Sequence, residues 1–214
     1  MAYLIYAVAI LLAYLFGSIP VGVIVARLYG VNVLATGSGR TGGTNVLRAA
    51  GPLAAGLTVL GDVMKALIPL FFMKIALPPL VVALAMPAVV LGHNHSIFLG
   101  FRGGAGAGPA IGAVGGISFP VGILVAVCGL VALVTTRYAS ILTTTIAASS
   151  VLLLAGSAAL GYTAYEYVLG AVLIFLVIVY ALRQNYARIR QGTERKVGQP
   201  KPDESAITGT GSKI

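Results

Sequence analysis

The chain has 214 residues, of which 58% are hydrophobic and only 9% charged, with a formal net charge of +9 and a mean hydropathy of +1.00. So little charge cannot cover the surface of a soluble domain of this size, and the apolar residues fall in runs long enough to cross a bilayer, which takes about 20 residues per helix. The positive charge flanks these runs, so its expected partners are anionic lipid heads and phosphorylated molecules, with no nucleic acid.

In chain order, hydrophobic spans are expected near Tyr3–Ala26, Leu53–Met73, Leu77–Leu99, Ile141–Leu160 and Tyr165–Leu182. The first lacks a basic leading region and is too long for a cleaved signal peptide. Pro109–Thr136 reads as one long helix or two short ones, and charge decides between them. No Lys or Arg precedes Arg27, while Arg27, Arg40 and Arg48 mark the first loop as cytoplasmic. Lys74 then lies in a weakly charged outer turn and Arg102 is inside again. A single span over Pro109–Thr136 would leave Arg137 and the basic run Arg183, Arg188, Arg190, Arg195 and Lys196 outside, against the positive-inside rule. A break near Ser118–Pro120, beside glycines 112, 115 and 116, returns them to the cytoplasm. The expectation is an all-α polytopic membrane protein with about seven transmembrane helices, N-terminus outside and C-terminus cytoplasmic. Pro109–Ile117 is short for a full crossing. Residues 1–196 form one membrane domain, and the polar tail 197–214 is expected to be disordered. Cys128, the single cysteine, is a small packing residue.

Two glycine-rich cytoplasmic loops stand out. GSGRTGGTNVLR (Gly37–Arg48) lies between the first two spans. Gly37, Gly39, Gly42 and Gly43 let backbone amides converge on phosphate oxygens. Ser38 and Thr44 add hydroxyls, Arg40 and Arg48 add forked cations, and Asn45 is placed to cap the second helix. A flexible loop anchored to lipid heads by its arginines explains the same residues about as well. FRGGAGAG (Phe101–Gly108) contributes Gly103, Gly104 and Gly106, but lacks the Lys-Ser/Thr end of a Walker motif. Asp62 and Lys65, one turn apart within a span, face the same side and form a structural pair or a functional one. His93, at the end of the third span with Asn94 and His95, suits phosphate binding or acid–base chemistry. With no HExxH, CxxC or carboxylate cluster, no metal site is expected. Gly17, Ser18, Pro20 and Gly22 serve close helix packing and a kink.

The ordered set of GSIPVG (Gly17–Gly22), GSGRTGGTNVLR, Asp62–Lys65, Gly92–His93, FRGGAGAG, RYAS (Arg137–Ser140) and N-x-x-R-x-x-x-G-x-E (Asn185–Glu194) resembles the bacterial acyl-phosphate-dependent glycerol-3-phosphate acyltransferases, small seven-span enzymes of the cell membrane. The resemblance runs to about Lys196. It implies transfer of a fatty acyl group from acyl phosphate to the 1-hydroxyl of glycerol 3-phosphate, giving lysophosphatidic acid and phosphate in phospholipid synthesis, without a cofactor. The soluble enzyme that forms acyl phosphate is then a partner. By motif, Ser38, Arg48 and His93 are the catalytic candidates. Gly37, Gly39, Arg40, Thr44, Asn45, Gly103, Gly104, Gly106, Ser140 and Asn185 are substrate-binding candidates. The chain departs from the family at Arg40 (an asparagine), Ala105 (the lysine of GGKG) and Leu182 (a histidine). It departs again at Asn32 with Leu34 or Ala35 (an acidic–basic pair) and at Gly108–Pro109 (a threonine). Arg40 is expected to replace the charge missing at Ala105. The competing readings are a catalytically inactive paralogue that binds lipid or a partner enzyme, and a small transporter.

Overall fold

The computed structural model describes residues 1–199. These form nine α-helices: α1 (Ala2–Ser18), α2 (Val21–Leu28), α3 (Gly43–Ala76), α4 (Pro79–Asn94), α5 (Ala107–Ile117), α6 (Phe119–Thr136), α7 (Ala139–Ala159), α8 (Glu166–Ala181) and α9 (Arg183–Arg190). The molecule is a multi-pass membrane protein, and its exterior shows why. Leu11, Phe72, Leu130, Val134, Leu152 and Leu176 point outward, a surface that suits lipid and not water. Most of α4 is buried, with Val82, Met86 and Val89 at its centre, and α1, α3 and α8 pack around it.

Lipid tails are as apolar as leucine, so helices in a bilayer associate by close packing. Small residues allow it here. A methyl group added at Gly17 would fall on the Val89 carbonyl, and one at Gly92 on the Tyr14 carbonyl, locking α1 to α4. Gly112 lies in the same way against Val63, seating α5 on α3. The first span breaks at Ile19–Pro20, between α1 and α2, as the proline suggests.

Two boundaries differ from expectation. The second helix begins at Gly43, ten residues before Leu53, because Gly51 takes a left-handed φ of 86° and admits Pro52 through a kink. The loop arginine Arg48 therefore sits on a helical turn and not on a free loop. The stretch Pro109–Thr136 does divide, at Ser118. Lys74, at the end of α3, donates to the Ile117 carbonyl at 2.7 Å, so α5 runs away from the glycine loops and α6 returns toward Arg137.

Four helices are long and apolar enough to cross a membrane, taking α1–α2 as one, and α8 with α9, bent by 54°, makes a fifth. With 16 residues, α4 is somewhat short, and the 11 residues of α5 span only about 16 Å. Seven full-length crossings are therefore not what these helices supply by length. Of the tail expected to be disordered, Val197 is held in place. Its N–H donates to the Arg137 carbonyl at 2.7 Å, and its own carbonyl accepts from Arg137 Nη2 at 3.1 Å. The remainder, from residue 200 onward, lies outside the described residues.

Candidate active site

Both glycine loops, the α6–α7 junction and the C-terminal segment meet at one end of the bundle. The first loop is held together by Asn45. It does not cap α3, whose N-cap is Gly42. It is buried in the first turn and reaches back into the loop. Its Nδ2 lies 2.9 Å from the Thr36 and Arg40 carbonyls and 3.1 Å from that of Val33. Its Oδ1 accepts from the Ser38 N–H at 3.2 Å. A side chain at Gly37 would strike that same oxygen. The loop is thus wound on an amide, with Asn45 committed to the fold. Gly39 forms the turn beside it, its N–H bonded to the Thr36 carbonyl.

The two loops touch where the Thr41 N–H meets the Gly103 carbonyl at 3.4 Å. Gly103 and Gly104 back onto α4. The Gly104 N–H donates to the His93 carbonyl at 3.1 Å, and a methyl group at Gly104 would occupy the place of His93 Nε2. Gly106, at a φ of 96°, is the N-cap of α5.

Between these parts lies a cavity of about 910 Å³. Of the residues expected at a site, Gly37, Ser38, Arg40, Thr44, Asn45, Arg48, His93, Gly106, Ser140 and Asn185 line it, as does Ala105. Gly39, Gly103 and Gly104 are not among the residues that line it. One end is polar and cationic. Arg48 Nε, Ser140 Oγ and Asn185 Oδ1 are buried and have no hydrogen-bond partner among the described residues, although buried polar atoms normally have one. Unsatisfied groups gathered on the lining of one cavity suit a polar ligand. The other wall is apolar, with Leu60, Val63, Ile111, Leu130 and Ile146 contributed by four helices.

Three residues of this cavity were not singled out from sequence. Glu194 accepts from Asn185 Nδ2 and Arg188 Nε, each at 2.6 Å, and so folds the C-terminal segment over α9. Arg188, Glu194 and Arg195 all line the cavity. The tail motif from Asn185 to Glu194 was the signal for Arg188 and Glu194, while Arg195, one residue beyond it, counted only as part of the basic run. Arg40, Arg48, Arg188 and Arg195 place four cations on a cavity lined by two carboxylates, Glu194 and the buried Asp62. Arg40 donates to the Ala181 carbonyl at 3.1 Å, which tethers it to the end of α8 while it shares the cavity with Ala105. Burial lowers its pKa from the ordinary arginine value and Arg188 lowers it further, with Glu194 opposing. An arginine still keeps its charge.

Below the cationic end lies a buried ionic cluster. Lys65 Nζ is 2.8 Å from Asp62 Oδ1, as the one-turn spacing suggested. It also lies 2.9 Å from the Ile19 carbonyl and 3.0 Å from His93 Nδ1. The expected pair is thus a group of three, with the histidine added.

A polytopic helical bundle whose one cavity joins a cationic end to an apolar wall is a membrane protein with a site suited to amphiphilic anions. The comparisons narrow this. Residues 7–192 match the family model for glycerol-3-phosphate acyltransferase. A glycerol-3-phosphate acyltransferase of Rubrobacter xylanophilus is 36% identical over 192 residues, 88% of this chain and 94% of the relative. One from Thermus thermophilus is 39% identical over 191 residues, 89% and 94% of the two chains. The crystal structure of PlsY (YgiH), an integral membrane glycerol 3-phosphate acyltransferase in its glycerol 3-phosphate form, superposes with a TM-score of 0.81 at 32% identity, covering 90% of this chain and 96% of that one. Its lysophosphatidic acid form gives 0.80. The chain belongs to the glycerol-3-phosphate acyltransferase family.

Proposed function

We propose that this protein transfers a fatty acyl group from acyl phosphate to the 1-hydroxyl of glycerol 3-phosphate, yielding lysophosphatidic acid and inorganic phosphate. The observation that carries the reading is the single cavity of about 910 Å³ that joins four arginines to an apolar wall. Both substrates are anionic, and one also carries an acyl chain that the apolar wall accommodates. The hydroxyl oxygen attacks the acyl carbonyl, the carbon–oxygen bond to phosphate breaks, and the hydroxyl proton ends on the released phosphate. The mixed anhydride is already activated, so the protein's contribution is to orient two anions and stabilise developing charge.

In this reading Arg48 and Ser38 hold glycerol 3-phosphate, with Thr44, Ser140 and Asn185 around it and the glycine backbones of both loops supplying N–H donors. Arg40 supplies charge beside Ala105. His93 contacts a reacting oxygen. The N-terminus lies outside and the C-terminus in the cytoplasm of a bacterial cell, so the cavity faces the soluble enzyme that supplies acyl phosphate. The test is transfer from palmitoyl phosphate to radiolabelled glycerol 3-phosphate by purified protein, beside Ala105→Lys. Labelled lysophosphatidic acid from the wild type supports the reading. Product from the variant alone would make this chain an inactive member with an intact site. Silence from both, with folding verified, would overturn it.

A further inference from the structure

The buried cluster of Asp62, Lys65 and His93 has a hydrogen-bond order that can be read atom by atom. We propose that Lys65 is a positioning residue that fixes His93 as the neutral tautomer with its proton on Nε2, making His93 a hydrogen-bond donor into the cavity and not a base. The inference rests on the reading above for the identity of the ligand, but not for the tautomer.

The ammonium group of Lys65 has three N–H donors and no acceptor. Its Nζ donates to the Ile19 carbonyl at 2.9 Å, pairs in charge with Asp62 Oδ1 at 2.8 Å and lies within hydrogen-bond distance of His93 Nδ1 at 3.0 Å. All three residues are buried or shielded, with Lys65 8% and Asp62 3% exposed, so no water shell offers alternatives. A proton on Nδ1 would point at an ammonium that is itself a donor, leaving two hydrogens facing each other. Nδ1 must therefore present its lone pair to Lys65. Asp62 Oδ1 is the rival partner for Nδ1, but at 3.4 Å it is farther away than the Lys65 ammonium at 3.0 Å. A neutral imidazole with a lone pair on Nδ1 carries its proton on Nε2.

Nε2 faces the second glycine loop. A side chain at Gly104 would take its place, so the absence of one at that position is what lets the ring sit there, and His93 lines the cavity. No protein acceptor is bonded to Nε2 among the described residues. The donor is left for an oxygen of the bound phosphorylated substrate. The Ile19 carbonyl is available to Lys65 because Pro20 interrupts the helix there, leaving α2 to start afresh at Val21. The GSIPVG break thereby acquires a role at the site.

The chain has only two histidines, and His95 is exposed, so His95→Gln leaves one imidazole to observe. The experiment is nitrogen-15 NMR of histidine-labelled protein in nanodiscs, with the two ring nitrogens assigned through their couplings to the ring carbons' protons. The result expected is a pyridine-type Nδ1 and a pyrrole-type Nε2 on His93. The opposite pattern, or an imidazolium with both nitrogens protonated, overturns the proposal whether or not the protein is active. Lys65→Met should then release the tautomer and lower kcat/KM for glycerol 3-phosphate about 100-fold, the size expected for loss of one oriented donor. Lys65→Met protein that folds and keeps both the wild-type nitrogen shifts and its turnover refutes it. A wild type that shows the expected shifts but no acyl transfer would leave the tautomer standing and defeat only the functional reading.

Discussion

Replacing Arg48 with alanine should cost catalytic efficiency without costing the fold. The guanidinium is partly exposed, and its Nε is buried with no partner among the described residues. Among those residues its one hydrogen bond, from Nη2 to the Lys196 carbonyl, is stretched to 3.5 Å. The donors of the fork are therefore held in place but unspent. If they bind substrate phosphate, their loss removes a charge-assisted hydrogen bond, worth about 1.5–3 kcal/mol. At 1.36 kcal/mol per tenfold, kcat/KM for glycerol 3-phosphate should fall about 10- to 150-fold, most of it in KM. Arg48→Lys restores the charge but not the fork, so it should fall between the two. The assay is initial-rate transfer from palmitoyl phosphate at varied glycerol 3-phosphate, with a thermal-unfolding midpoint measured on each protein. An Arg48→Ala enzyme within twofold of wild type would refute the phosphate role. A loss of activity matched by an equal loss of stability would refute the separation of site from fold.

Other substitutions probe the parts around it. Gly104→Ala should displace the His93 ring and cost about 1–3 kcal/mol of overpacking, read as a lower unfolding midpoint together with lost turnover. Asp62→Asn strands the Lys65 ammonium in the bundle, and breaking a buried pair in this way costs about 3–5 kcal/mol, so the variant should unfold at markedly lower temperature or fail to accumulate. Glu194→Gln weakens the bonds to Asn185 and Arg188. It should loosen the C-terminal segment, seen as faster proteolysis after Arg190, and raise KM, with much less effect on stability because Arg188 is 42% exposed and exposed ion pairs contribute little.

Much of this architecture was legible from one sequence. The position of Arg137 relative to the basic C-terminal run divided Pro109–Thr136, because a membrane protein's loops carry their sidedness in charge, and α5 and α6 part at Ser118. The Asp62–Lys65 pair followed from helical spacing. What could not be read was anything set by distant contacts. His93 lies 28 residues from Lys65, and no local pattern announces that they meet. Asn45 looked like a helix cap because caps favour asparagine. Its amide is instead spent on three loop carbonyls, an arrangement that depends on the folded path of residues 33–40. Arg195 looked like part of a basic tail and Glu194 like the end of a motif, and only the folded path of the C-terminal segment brings both to the cavity.

The central claim is that one cavity brings an acyl phosphate and glycerol 3-phosphate together for direct transfer. Release of inorganic phosphate from palmitoyl phosphate, followed with and without glycerol 3-phosphate, tests it most directly. The account predicts release that depends on the acceptor, with one phosphate formed for each lysophosphatidic acid. Phosphate release that proceeds equally well without glycerol 3-phosphate, or no release under any condition from folded protein, would contradict it.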